Sequence, residues 1–87
     1  MSAAVLIVDD DDLLRRSLAF SLEQVGFETR TVANAEDAIA MSNQKKPDII
    51  LLDIMLPGMD GLEALRYFRD RLGVPVIFLS ARRRGLD

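Results

Sequence analysis

Cysteine and histidine are both absent from the 87-residue sequence. Without cysteine there is no disulfide framework and no thiolate nucleophile, a composition that fits the cytoplasm. Without histidine the chain has no imidazole base, no imidazole metal ligand and no phosphohistidine of its own. Its chemistry must therefore run on carboxylates, hydroxyls, amines and backbone. No apolar run approaches the roughly 20 residues that cross a bilayer, which argues against a membrane protein. The opening MSAAVLIVDD lacks a basic n-region and meets aspartate too early for a signal peptide. No Gly-x-Gly-x-x-Gly follows the first apolar run and there is no Walker sequence, so dinucleotide and nucleoside-triphosphate sites find no support. An excess of positive charge is missing too. The formal net charge is −3, which argues against direct nucleic-acid binding.

What is present describes one small globular unit, residues 1–87. Apolar residues make up 49% and charged residues 29%, a balance that can bury a core. At this size a chain buries only about 60–65% of the surface its unfolded form exposes, so its margin of stability is thin. Ala4–Val8 is a short β-branched run, the pattern of a strand covered on both faces. Leu14, Leu18, Leu22 and Val25 then recur at helical spacing, with Arg15, Arg16 and Glu23 elsewhere on the surface and Gly26 as the stop. Phe27 to Val32 alternates, as an edge strand does. Asn34 is placed to cap a second helix that turns Ala35, Ala38, Ile39 and Ser42 inward. Ile49–Leu52 is a second apolar strand ending at Asp53. A loop punctuated by Pro57, Gly58 and Gly61 follows. A third helix, capped by Asp60, carries the stripe Leu62, Leu65, Phe68 and Leu72. Gly73 ends it before the apolar strand Val76–Leu79.

Alternating strands and helices predict a parallel sheet with right-handed crossovers. Residues 76–79 read as an interior strand, yet the sequence given stops eight residues later. A four-stranded sheet has two interior places and this chain has three apolar strands to fill them. That pattern is expected of a larger domain incomplete at its carboxyl-terminal side.

Four consecutive aspartates, Asp9 to Asp12, follow the first strand. Parallel sheets gather ligand sites at the carboxyl ends of their strands. Asp9 and Asp10 are at that end of the first strand, Asp53 at that end of the third and Ser80 at that end of the fourth. If the first and third strands are neighbours, about 4.8 Å apart, three carboxylates converge. A hard divalent cation stabilises such a group; Mg2+ takes one or two carboxylates and leaves oxygen sites for a phosphate. An ordinary explanation competes for part of the run. Aspartates at a strand-to-helix junction cap the helix and complement its dipole, by about 0.3–1 kcal/mol each. This accounts for Asp11 and Asp12, nearest the helix, but not for Asp53.

These stretches resemble the receiver domain of two-component response regulators. VLIVDDD is similar to that family's first strand with its acidic pair, PDIILLDIMLPGMDG to its phosphoacceptor strand and following loop, and VPVIFLSAR to its fourth strand with a switch hydroxyl. The wording is closest to regulators with a winged-helix DNA-binding domain downstream. The resemblance implies a flavodoxin-like α/β fold. It implies that Asp53 accepts a phosphoryl group from a partner histidine kinase. It also implies that Asp10, Asp53 and the backbone carbonyl of Met55 bind Mg2+ with Asp9 acting largely through water, and that Ser80 turns toward the phosphate. DNA contact would fall to the downstream domain alone.

Against the family's strand order 2-1-3-4-5, this sequence supplies 2-1-3-4, with the fifth strand and last two helices missing. The family's lysine after the fifth strand goes with them, and Lys45 and Lys46 belong to a loop at the opposite end of the sheet. Loss of such a preorganised donor commonly costs about 3–4 kcal/mol, so phosphotransfer is expected to slow. The strand at 76–79 is then an exposed apolar edge, expected to pair with a second copy or a swapped segment. Arg82, Arg83 and Arg84 are read as a solvated face or as partners of acidic residues in ion pairs. Two other readings stay open on the residues alone. One is a truncated or engineered fragment that keeps the βα scaffold, self-associates and does not signal. The other is an aspartyl-phosphate phosphohydrolase, which needs a carboxylate just after the nucleophile where Ile54 and Met55 stand.

Overall fold

Val5, Leu6, Ile7 and Val8 are each buried, so the first strand, β1 (Ala4–Val8), is covered on both faces. The computed structural model describes residues 2–53 and 61–79. Met55, Pro57, Gly58, Asp60, Ser80 and residues 82–84 of the sequence analysis lie outside the described residues. After β1 come α1 (Asp12–Gln24), β2 (Glu28–Val32), α2 (Ala35–Gln44) and β3 (Ile49–Asp53). A third helix, α3 (Gly61–Arg66), continues as a π-helical segment over Tyr67–Leu72, and β4 (Val76–Leu79) completes the order.

All pairings are parallel, and the four strands lie in the order β2-β1-β3-β4. The predicted sheet is therefore observed. Its register aligns the strand ends. Val8 pairs with Leu52 and Asp53 with Leu79, so β1, β3 and β4 end nearly level. The order reverses direction at β1. Right-handed crossovers then put α1 on one face and both α2 and α3 on the other. The side chains agree: Leu6, Val8, Ile50 and Leu52 from one sheet face pack with Ala35 and Ala38 of α2 and with Ala64 and Phe68. The Asn43 amide donates to the Tyr67 hydroxyl at 2.9 Å, which ties α2 to the π-helical segment. Full burial of an aromatic such as Phe68 stabilises by about 1.5–3 kcal/mol.

Helix ends follow the expected signals. Asn34 is extended and its Oδ1 accepts the Asp37 N–H at 2.7 Å. At the end of α1, Phe27 N–H donates to Leu22 and Gly26 N–H to Glu23. This pair of hydrogen bonds closes the helix only because Gly26 adopts φ 101°. Gly73, at φ 67°, ends the π-helical segment in the same left-handed region.

Two details differ from expectation. Leu62 is 55% exposed; Phe68 of the expected stripe is buried and Leu72 packs against the core, but Ala64 takes the buried place expected of Leu62. Residues two apart on a helix lie about 200° apart around its axis, so once Ala64 faces the sheet Leu62 faces away. Val25 is 72% exposed because it is the cap residue beyond the last helical turn. The fourth strand behaves as an edge: among the described residues β3 is its only neighbour, and Ile77 is 51% exposed.

Candidate metal and phosphoacceptor site

The acidic run divides at the junction of β1 and α1. Asp11 is extended, and its Oδ1 accepts the Leu14 N–H at 3.1 Å, so it is the N-cap of α1. Asp12 occupies the first turn and pairs with Arg15 at 2.7 Å and Arg16 at 2.6 Å. The Arg16 hydrogen bond, reinforced by its charge, holds the Asp12 carboxyl below the usual carboxylate range. These two aspartates start the helix, as the ordinary explanation holds.

Asp9 and Asp10 do something else. Asp9 follows the last residue of β1 and is fully buried, Asp10 beside it is exposed, and Asp53 is fully buried at the last position of β3. One carboxylate oxygen from each of the three lies within 4.8 Å of the other two. The expected convergence of Asp9, Asp10 and Asp53 is met, because β1 and β3 are adjacent and end level. Three hard oxygen donors within 4.8 Å of one another come close to the spacing of octahedral ligands, about 3 Å between neighbours and about 4.2 Å across when each is about 2.1 Å from the metal. Two of the three are shielded from bulk water. The donor chemistry and the burial both suit a divalent ion.

Asp9 is held through both its backbone and its side chain. Its N–H donates to the Val32 carbonyl at 3.2 Å, and its Oδ1 accepts the Asp11 N–H at 2.8 Å. Its carbonyl accepts Arg15 Nη1 at 2.7 Å. Helical spacing puts Arg15 on the surface, yet its side chain is only 16% accessible. The sequence conceals this role because an arginine three residues past an acid on a helix ordinarily reads as a solvated ion pair. The lysines lie where expected. Lys45 Nζ is 3.8 Å from Glu28, which pairs with Ala4 at the start of β1, the opposite end of the sheet from the acidic trio.

Comparison with known proteins agrees with this geometry. The family model for the response regulator receiver domain matches residues 5–85. The transcriptional regulatory protein AfsQ1 of Streptomyces coelicolor is 39% identical over 84 residues, which is 97% of this chain and 37% of that protein. The DNA-binding response regulator MtrA of Mycolicibacterium smegmatis is 37% identical over 87 residues, all of this chain and 38% of that protein. The chain thus spans little more than a third of these curated relatives. Among solved structures, the N-terminal domain of a response regulator receiver protein from Methanoculleus marisnigri superposes with a TM-score of 0.85 at 32% identity, covering 91% of this chain and 67% of that one. The chemotaxis response regulator CheY4 of Vibrio cholerae does so with a TM-score of 0.85 at 27% identity, covering 97% and 74%. Fold, sequence match and the spacing of the acidic strand ends converge: the chain belongs to the response regulator receiver domain family.

Proposed function

We propose that residues 1–87 act as one phosphoacceptor unit of a two-component pathway, with Asp53 as the residue that takes the phosphoryl group. The observation that carries this reading is the meeting of Asp9, Asp10 and Asp53 within 4.8 Å at the carboxyl ends of β1 and β3. Asp10, Asp53 and the Met55 carbonyl would hold Mg2+, with Asp9 supporting the site. When bound, the ion supplies positive charge that neutralises phosphoryl oxygens.

The residues themselves account for the rest. An Asp53 carboxylate oxygen attacks phosphorus in line with the nitrogen of a phosphohistidine on a partner histidine kinase. The O–P bond forms as the N–P bond breaks, and the released imidazole takes a proton from water. Ser80 would donate a hydrogen bond to the transferred group. On this reading the chain serves as a signalling module and not as an enzyme, in keeping with the receiver-domain match.

Likeness to DNA-binding regulators supports a cytoplasmic setting, with any DNA contact made outside the matched receiver. Among the described residues, no helix is long and apolar enough to cross a membrane. The β4 edge, with Ile77 half exposed, supports pairing with a second copy, since two identical edges meet as a self-complementary pair.

The test uses an acyl-phosphate donor and Mg2+. A mass gain of one phosphoryl group in the wild-type chain, lost in Asp53→Asn, supports the reading. No gain, or a gain that survives the substitution, overturns it.

A further inference from the structure

We propose that Arg15 is the positioning residue of the cation site: its guanidinium pins the Asp9 carbonyl and so fixes the backbone that presents Asp9 and Asp10 to Asp53. The inference rests on the proposed metal site but concerns a residue to which that proposal gives no part.

The geometry is specific. Arg15 Nη1 donates to the Asp9 carbonyl at 2.7 Å, and Nη2 donates to Asp12 Oδ1 at 2.7 Å. The side chain therefore reaches back over the first turn of α1 and clamps both ends of the acidic run. Asp10 and Asp11 lie between those two anchors. The Arg15 N–H also donates to the Asp11 carbonyl at 3.0 Å, as the first hydrogen bond of the helix. One residue thus joins the junction to the helix through backbone and side chain together.

Two features separate this from a surface ion pair. The Arg15 side chain is 16% accessible, whereas that of Arg16, bound to the same Asp12, is 75% accessible. And one Arg15 hydrogen bond goes to a main-chain carbonyl, which fixes chain direction and not just charge. The planar guanidinium fork suits two acceptors at a set separation; an ammonium does not reproduce it.

Charge and position act in opposite directions here, which makes the role testable. A cation near a metal site repels the metal, so if Arg15 acted through charge alone its removal would tighten Mg2+ binding. If it acts by holding the ligands in place, its removal weakens binding. Outer groups that orient metal ligands typically change affinity by about 10–100-fold.

The experiment is calorimetric Mg2+ titration of the whole chain, with thermal unfolding of the metal-free form alongside. The expected result is a loss of about tenfold or more in affinity for Arg15→Met and a smaller loss for Arg15→Lys. Arg16→Met, which removes an equal charge one residue on, should leave affinity within about twofold. Unchanged or tighter binding by Arg15→Met overturns the proposal. Should that variant not fold, Arg15→Lys decides: wild-type affinity in a folded lysine variant overturns it equally. Failure of the wild-type chain to bind Mg2+ would overturn the metal reading and this inference together. Binding by wild type and by Arg15→Met alike would sink this inference alone.

Discussion

Asp9 and Asp53 leave neighbouring strands one residue beyond the Val8–Leu52 pair, both fully buried, with carboxylate oxygens within 4.8 Å of each other. A cation shared by these oxygens couples metal binding to stability, and Asp53→Asn removes one of its ligands. Mg2+ should stabilise the wild-type chain by about 2.7 kcal/mol at a hundredfold excess over its dissociation constant, and the variant by much less. Urea unfolding in chelator and in Mg2+ checks both.

Ser42 gives a prediction of the opposite kind, one about the core. Its hydroxyl is buried on α2, with no hydrogen-bond partner among the described residues. An unsatisfied buried polar group costs about 1–3 kcal/mol, and alanine is the better helix former. Ser42→Ala should therefore raise the urea midpoint, by about 1 kcal/mol in free energy, with the slope unchanged.

Asp12 carries a pH-dependent contribution. Its carboxyl lies below the usual range, through the Arg16 hydrogen bond first and the Arg16 charge second. A lowered folded value means that the contribution is present above the unfolded value and is lost as pH falls through the folded one. Following the Asp12 carboxyl by NMR should give a midpoint below that of a free aspartate. Arg16→Met should move the midpoint upward, since Arg16 is the dominant cause.

Ile77 tests the edge. A lysine there opposes strand addition while touching little of the core. If β4 edges pair, Ile77→Lys should shift the wild-type assembly to monomer in sedimentation. Because the side chain is already half exposed, the unfolding free energy should move by less than about 0.5 kcal/mol. A wild-type chain that sediments as a monomer refutes the pairing.

Much of the architecture was legible because it is written in local chemistry. Asn34 announces a cap, and its side chain accepts the Asp37 N–H. Gly26 announces a left-handed turn and has φ 101°. The apolar runs at 4–8 and 49–52 form the two interior strands, while the equally apolar run at 76–79 lies at the edge among the described residues. Strand ends carrying acids then implied the trio, since a parallel sheet aligns those ends. What escaped was tertiary. Leu62 fits a helical stripe on spacing alone, but the phase of that stripe is set by Phe68 against the sheet. Arg15 looks solvated until the chain turns and brings the Asp9 carbonyl under its guanidinium. Neither fact is encoded within a few residues of its position.

The widened turn after α3 has a consequence for sequence length. A helix closing i to i+5 bonds takes up more residues per turn than one closing i to i+4. Between Tyr67 and Leu72 the chain stores surplus length as girth. A one-residue deletion there would restore an ordinary helical turn, at the expense of the angle that lets Phe68 enter the core while its neighbour Tyr67 reaches Asn43.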